Sequence, residues 1–278
     1  MKIVITYCSP AGSTRHIAEV IHNSFNRRNV DGVMLNLAKS HERSAAMDLI
    51  KSTDQKKCLF IGSPVYRDVA IPPVMNFINQ LPQLQGYYAV PFVTWGQACS
   101  GVALWQISAA LMEKGFRIAA AAKVVALHSM MWLADDPAGR GHPDDTDRRE
   151  IEALVKKLHS RFDSNDVPVL SLDELDYQPP ERAAKMKNRI NAPWYIIPKN
   201  VGSESCTQCG ICAEECPVNA VSLNPYPEFD QNCIDCFNCI RLCPENAIAS
   251  SVSIDDIADI IRKRVRTINE RPLTQVFL

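Results

Sequence analysis

Two copies of one cysteine pattern occupy the last third of the chain and constrain its fold more than any other feature. Both copies read C-x2-C-x2-C-x3-C-P, and an Asn-Ala pair follows each copy at the same distance. The cysteines are Cys206, Cys209, Cys212 and Cys216 in the first copy and Cys233, Cys236, Cys239 and Cys243 in the second. A repeat that keeps its thiols predicts a small domain of two similar halves, each folded around one site.

This spacing is the one with which bacterial ferredoxins hold two [4Fe–4S] clusters. In that arrangement three close thiolates bind one cluster, and the fourth cysteine of the run binds the other cluster. The first cluster would take Cys206, Cys209, Cys212 and Cys243, and the second would take Cys216, Cys233, Cys236 and Cys239. The sequence therefore predicts two clusters that carry single electrons.

Zinc and disulfides are the alternative uses of these cysteines. Zinc needs four ligands per ion, usually as two separated pairs, and has no use for the third and fourth cysteines of each run. Disulfides belong to oxidising compartments, whereas the chain starts with Met-Lys-Ile-Val-Ile-Thr and no signal peptide is expected. Clusters are the favoured interpretation, and a reducing cytoplasm is the expected location.

The composition narrows the function classes. The 278 residues are 46% hydrophobic and 22% charged, with a net charge of −1, as in globular proteins of about two domains. The near-zero charge argues against nucleic-acid binding, and no apolar run approaches the ~20 residues of a membrane span. Residues 201–250 carry seven acidic residues against one basic residue. This segment either steers a basic redox partner or is covered by the basic segments 182–189 and 262–271.

The N-terminal half alternates apolar strands with amphipathic helices. Strands are predicted at 2–7, 33–37, 57–62, 88–95 and 117–125, and helices at 15–25, 44–52, 72–80, 102–115 and 146–162. Five such strands predict an α/β fold with an open, parallel, doubly wound sheet, whose ligands bind beyond the carboxyl ends of the strands. Three loops lie at those ends: 9–14, 62–66 and 94–101.

The first loop, Ser-Pro-Ala-Gly-Ser-Thr, joins a strand to a helix, which is a phosphate-binding arrangement. It resembles the flavodoxin phosphate loop (S/T)-x-T-G-x-T, with Ala11 at a usual threonine. Gly-Ser-Pro-Val-Tyr at 62–66 resembles the loop whose tyrosine stacks on the isoalloxazine, although Asp68 replaces a usual glycine. Trp95-Gly96 resembles the start of the third flavin loop.

The resemblance to flavodoxins implies FMN as a cofactor; a domain of this fold that has lost its flavin is the alternative. The implied FMN-binding residues are Ser9, Ala11, Gly12, Ser13, Thr14, Ser63, Pro64, Val65, Tyr66, Thr94, Trp95, Gly96, Cys99 and Gly101. The backbone amides of 96–101 are expected to face the pyrimidine edge of the ring. Cys99 either lies beside the flavin or serves as a small loop hydrophobe.

The joined architecture resembles the flavodoxin–ferredoxin fusion family of EFR-type iron–sulfur flavoproteins. It implies a flavodoxin-like domain at 1–164, a docked linker at 165–200, a small α+β 2[4Fe–4S] ferredoxin domain at 201–250, and an amphipathic helix and tail at 251–278. The long loop 128–143 is either a lid that presents His128, Arg140 or His142 to a substrate or a solvated surface loop.

Three functions follow from these features. The first is electron transfer between the clusters and FMN, with a ferredoxin or a reductase as redox partner. The second is a ferredoxin-dependent FMN reductase, an oxidoreductase acting on a small organic acceptor. The third is a non-catalytic redox subunit of a larger complex. Because flavodoxin-like reductases often dimerise across the flavin site, a homodimer is also expected.

Overall fold

The computed structural model describes residues 2–52, 57–164, 166–194 and 196–278; Asn165 and Tyr195 of the predicted linker lie outside these ranges. The first part contains β1 (Lys2–Tyr7), α1 (Ser13–Asn26), β2 (Gly32–Asn36), α2 (Ser40–Lys51), β3 (Lys57–Tyr66), β4 (Val69–Ala70), α3 (Pro72–Gln80), β5 (Tyr88–Trp95), α4 (Ala103–Glu113), β6 (Arg117–Ile118), β7 (Ala121–Val125) and α5 (Asp145–Asp163). A short 3-10 helix, Ser129–Met131, lies between β7 and α5.

Shorter elements follow. They are α6 (Leu172–Leu175), α7 (Pro180–Lys187), β8 (Lys199–Val201), α8 (Ile211–Glu214), β9 (Val221–Leu223), β10 (Pro227–Phe229), α9 (Asn238–Arg241), β11 (Ile248–Ser250), α10 (Ile254–Ile268) and β12 (Gln275–Phe277). No helix among the described residues is long and apolar enough to cross a membrane.

Six strands of the large sheet follow the order β12-β7-β5-β3-β1-β2, and the five of these other than β12 are parallel, while the short β4 and β6 pair with β3 and β5 off this path. This is the 2-1-3-4-5 order of flavodoxin-like doubly wound sheets, which confirms the predicted fold class. β3 continues beyond its predicted end at 62 to Tyr66, where β4 folds back on it. The predicted fifth strand, 117–125, is interrupted, and its two pieces β6 and β7 both pair with β5.

Helices cover both faces of this sheet because its strands are apolar on both sides. Ile17, Ile21 and Phe25 of α1 pack with Ile151 and Leu158 of α5 on one face. The opposite face is covered by apolar side chains of α2, α3 and α4. Both layers leave the carboxyl ends of the strands open for a ligand.

The tail contacts both parts of the molecule. Its helix α10, the amphipathic helix expected within 251–278, packs against Phe237 of the cysteine-rich segment, and β12 then joins the large sheet antiparallel to β7. Lys123 of β7 binds Glu270 at 2.6 Å, and these side chains are 1% and 7% exposed. Ser100 N and Gln178 Nε2 donate to the same carboxylate, at 2.9 and 3.1 Å. A buried and fully hydrogen-bonded ion pair therefore anchors the tail.

The cysteine-rich segment keeps its internal repeat in the backbone. β9 pairs with β10 and β8 pairs with β11, both antiparallel. Positive φ angles recur 27 positions apart, at Gln208 and Asp235, Gly210 and Phe237, and Asn219 and Asn246. Each half thus turns its chain around its cysteines in the same way.

Removing the anchor should loosen the tail. In Glu270→Ala the buried ammonium of Lys123 loses its partner, which costs about 3 kcal/mol. Hydrogen exchange at the amides of 275–277 should therefore speed up roughly a hundredfold. Glu19→Ala, which breaks an exposed pair with Arg15, should change stability by less than about 1 kcal/mol. Unchanged protection of β12 in Glu270→Ala would contradict this role.

Candidate cofactor sites

The eight repeat cysteines surround two small cavities. Cys206, Cys209, Cys212 and Cys243 line the first. Cys216, Cys233, Cys236 and Cys239 line the second, which Cys212 also borders. Each cavity therefore takes three thiols from one run and a fourth from the other, and these are the sets that the spacing predicts. Four soft sulfur donors around a small space suit an iron–sulfur cluster.

The fourth cysteine of each run accepts the same kind of backbone hydrogen bond. Ala220 N donates to Cys216 Sγ at 3.2 Å, and Ala247 N donates to Cys243 Sγ at 3.3 Å. Burial raises the pKa of the Cys236 and Cys239 thiols to about 12. Metal ligation by a thiol requires loss of its proton, so metal binding at these buried sulfurs depends on pH.

The two cysteine sites differ in exposure. Cys209 of the first site is exposed, and Cys206 and Cys243 are partly exposed, whereas Cys233, Cys236 and Cys239 of the second site are buried. The first site lies at the surface and the second lies inside, against the large sheet, where Cys236 packs in the same apolar cluster as Cys8, which follows β1.

A buried ion pair, which the sequence reasoning missed, stands at the second site. Lys199 Nζ donates to Asp235 Oδ1 at 2.7 Å and to Cys233 Sγ at 3.4 Å, and its side chain is 1% exposed. Burial by itself would lower the pKa of Lys199, but the bond to Asp235 raises it above its ordinary value, so the ammonium stays charged. The internal repeat could have revealed this pair. The position equivalent to Lys199, 27 residues later, holds the neutral Tyr226, and the position equivalent to Asp235, 27 residues earlier, holds the neutral Gln208.

A larger cavity of about 300 Å³ lies beyond the carboxyl ends of β1, β3 and β5. Ten of the fourteen residues implied for FMN line it: Ser9, Ala11, Ser13, Thr14, Pro64, Val65, Tyr66, Thr94, Trp95 and Gly96. All three predicted loops thus meet at one place, as the topology of the sheet requires.

The phosphate loop is shaped for an anion. Gly12 precedes the first turn of α1 with φ +90°, and no atom lies within 4 Å of where its Cβ would stand. The first turn of α1 holds no acidic residue, so its free N–H groups favour a negative ligand. Arg241, from the cysteine-rich segment, donates to Pro10 O, while its buried Nε has no hydrogen-bond partner among the residues that the structure describes.

Tyr66 adds a second polar atom that lacks a hydrogen-bond partner in the described part of the chain. Its Oη is buried near Ser129 without completing a hydrogen bond, and burial raises the pKa of the phenol. Buried polar groups are normally satisfied. An occupant of the cavity with polar ring atoms would supply what the protein leaves open, so the residues fit a flavin.

Gly12 belongs to the loop but does not line the cavity, and Ser63, Cys99 and Gly101 lie apart from it. Ser63 is fully buried and binds Pro64 O and Ile71 N. Cys99 packs with Val69 and Met186 and accepts a hydrogen bond from Gly101 N, which corrects the expectation that residues 96–101 all face the ring.

The third loop turns away for a structural reason. A Cβ on Gly101 would stand 2.1 Å from Asp68 O, so the two loops are in tight contact there. Asp68, which replaces a usual glycine, is 5% exposed and binds Arg189 at 2.5 Å and Arg264. These contacts hold the loop against α10 and the residues that follow α7 rather than over the cavity.

Nine further residues line the cavity beyond the implied set: Arg67, Ala126, Leu127, His128, Ser129, Met130, Ile197, Ile234 and Asp235. Those at 126–130 follow β7, so the rule that ligands bind at carboxyl ends could have found them. Of the three side chains proposed for a lid, His128 alone lines the cavity. His142 instead binds Asp147 at 2.6 Å near the start of α5, and Arg140 is exposed.

Comparison with known proteins identifies part of the chain. The family described as "4Fe-4S binding domain" matches residues 200–222, which contain the first cysteine run. No curated protein matches the chain. The chain therefore combines a flavodoxin-like sheet with an iron–sulfur domain that holds at least one [4Fe–4S] cluster, and this combination supports an electron-transfer function.

Several solved structures are similar to the N-terminal part. A flavodoxin from the domain Archaea is 21% identical, covering 59% of this chain and 99% of its own, with a TM-score of 0.43. Rubredoxin:oxygen oxidoreductase from Desulfovibrio gigas is 21% identical over 59% of this chain and 36% of its own, with a TM-score of 0.46. The apo form of an NADH:FMN oxidoreductase (EMOB) is 19% identical over 66% and 93%, with a TM-score of 0.43. At these values the activities of those proteins do not carry over.

His128 should stay neutral at physiological pH. Burial lowers its pKa to about 4, and Met130 N donates to its Nδ1, so the proton resides on Nε2. Nitrogen-15 NMR should show one neutral tautomer from pH 6 to 8. Because the folded pKa lies below the unfolded value, the associated stability is lost as the pH falls from about 6.5 toward 4. A titration midpoint near 6.5 in the folded protein would contradict this assignment.

Proposed function

We propose that the protein is an electron-transfer iron–sulfur flavoprotein of the flavodoxin–ferredoxin fusion type, with two [4Fe–4S] clusters and one FMN. The observation that carries the proposal is the position of Ile234, between the ligands Cys233 and Cys236. This residue lines both the second cysteine site and the larger cavity. One side chain therefore separates the two cofactor sites, and a short separation favours electron transfer.

The proposed cofactors divide the chemistry between them: clusters carry one electron at a time, and FMN holds one or two. Residues 9–14 and the N-terminus of α1 would hold the phosphate. Tyr66 and Trp95 would border the ring system, and His128 Nε2 would offer it a hydrogen bond. Ile197, Ile234 and Asp235 would exclude water from the side that faces the second cluster.

The proposed domains are the flavodoxin-like unit 1–164, the linker 165–200, the cluster domain 201–250, and the helix and tail 251–278. The linker contributes to both sites, through Ile197 at the cavity and Lys199 at the second cysteine site. The tail contributes β12 to the first unit. The cofactors are therefore held by segments that interleave along the sequence.

The proposed redox partner is a protein with a basic face, consistent with a cytoplasmic carrier such as a ferredoxin or a reductase. Four glutamates of the cysteine-rich segment are exposed, namely Glu204, Glu214, Glu228 and Glu245, and none of them forms an ion pair within the described residues. Glu245 lines the first cysteine site. Three residues of the basic segments pair elsewhere, since Arg189 and Arg264 bind Asp68 and Lys187 binds Asp176. The exposed Leu223 and Leu242 add apolar contact area.

A ferredoxin-dependent FMN reductase is the second candidate. The observation that favours it is His128, a neutral imidazole whose N–H is available at the wall of the cavity. Such a donor could orient a small organic acceptor next to the flavin. Turnover with small acceptors would separate this candidate from a carrier that reacts only with proteins.

Anaerobically purified protein should contain about eight irons, eight sulfides and one FMN per chain. Cys209→Ser should halve the iron and leave FMN bound, because that thiol lines only the first cysteine site. Cys58→Ala, which changes a cysteine of the large sheet, is the control and should retain all the iron. Retention of eight irons in Cys209→Ser would remove this residue from the ligand set.

Gly12→Asp should release FMN while both clusters remain. An aspartate at this position is strained by the positive φ, and its carboxylate adds negative charge next to Ala11 and Ser13, which line the cavity. Gly86→Asp is a matched control, because Gly86 also has positive φ and open space at its Cβ position but lies away from the cavity. Fluorescence titration with FMN should show at least a hundredfold weaker binding for Gly12→Asp alone. Equal binding in the two variants would contradict the phosphate site.

A further inference from the structure

The two cysteine sites have opposite electrostatic surroundings. Among the described residues that line the first site, Glu245 alone carries a charge, and it is exposed. Among those that line the second site, Lys199 alone carries a charge, and it is buried. The repeat therefore preserves the thiols but not the field that acts on them.

Lys199 is held firmly in place. It begins β8, where it pairs with Ser250 of β11. Its ammonium also donates to Ile197 O at 2.8 Å and lies 5.5 Å from the ring of Phe237. Asp235 is fixed in turn by Ile197 N, at 3.1 Å. A side chain with this many partners cannot turn away into solvent.

The sulfur of Cys233 is closer to the cation than to the anion of the pair. Lys199 Nζ lies 3.4 Å from Cys233 Sγ, and Asp235 Oδ1 lies 3.8 Å from it. Hydrogen bonds to ligand sulfurs and nearby positive charge stabilise the reduced state of a cluster, which carries one more negative charge. Burial acts in the opposite direction, because low-polarity surroundings penalise added charge. A donor in direct contact with the sulfur offsets that penalty without screening by water.

We infer that the Lys199–Asp235 pair raises the reduction potential of the second cluster above that of the first, so that electrons entering at the exposed cluster run toward the flavin. The inference rests on the proposed function. It adds a direction of flow, and it makes Lys199 a residue that sets a potential rather than a ligand.

The electrons balance at each step. With both clusters and FMN bound, a reduced one-electron carrier protein would be oxidised as it reduces the first cluster, which would then pass the electron to the second. Two such transfers, together with two protons from solvent, would reduce one FMN. The carrier would dock where Cys209 is exposed, and the acceptor would collect electrons at the flavin.

The test is a potentiometric titration of the anaerobic holoprotein, followed by EPR of both clusters, with Cys209→Ser used to assign the signals. In the wild type the second cluster should be reduced first. At the potential where it is half reduced, Lys199→Met should lower its ratio of reduced to oxidised form at least tenfold, which corresponds to 59 mV. Lys199→Arg, which keeps the charge and a donor, should restore most of this ratio.

The Asp235→Asn variant should shift the potential of the second cluster in the opposite direction. It removes the negative charge but keeps an oxygen for Ile197 N, so the ratio for the second cluster should rise. Glu245→Gln is the matched variant at the first site and should raise only the potential of the first cluster. Each variant must retain its iron and FMN, so that a lost site is not mistaken for a shifted potential.

The outcomes separate the inference from the proposed function. Two clusters in the wild type with no shift in Lys199→Met, or with the first cluster reduced before the second, would overturn the inference alone. A wild type with fewer than two clusters or without FMN would overturn the proposed function. A shift in both clusters to the same extent would assign Lys199 a general structural effect and would also overturn the inference.

Discussion

The residues between Cys233 and Cys236 lie between the second cysteine site and the large cavity, and the rest of the architecture depends on this shared wall. Ile234 and Asp235 have cysteines of the second site on one side and the large cavity on the other. Such a wall is stable only if its polar member is satisfied, and Lys199 and the amide of Ile197 do this. A buried carboxylate without these partners would cost several kcal/mol.

The C-terminal segment, residues 251–278, fixes the position of the cysteine-rich segment relative to the large sheet. Ile257, Ala258 and Ile261 of α10 pack against Met131 and its neighbours, just beyond the residues that line the cavity. β12 then attaches to the edge of the large sheet, and the Lys123–Glu270 pair holds it there. Because the helix also binds Asp68 through Arg264, it braces the loops on two sides of the cavity. This explains why an amphipathic helix at the end of the chain is paired within the molecule.

The flavin loops show where motif reasoning is reliable and where it ends. Residues 9–14, 64–66 and 94–96 converge because they directly follow parallel strands, and the carboxyl ends of such strands share one edge. Cys99 and Gly101 are several residues further along, where the path of the chain depends on contacts with distant segments. The replacement of glycine by Asp68 was visible in the sequence, but its partners Arg189 and Arg264 were not.

The sequence by itself determined the α/β class, the approximate boundaries of most helices and strands in the N-terminal half, and which cysteines line each of the two small cavities, because periodicity and ligand spacing are local properties of the chain. Only the tertiary structure decided which cysteine site lies inside, which residues face the large cavity from outside the flavin loops, and where the tail goes. Each of these depends on contacts between residues far apart in the sequence. The same holds for the Lys199–Asp235 pair: the repeat shows that these positions differ from their equivalents, but only the fold brings the two charges to one sulfur.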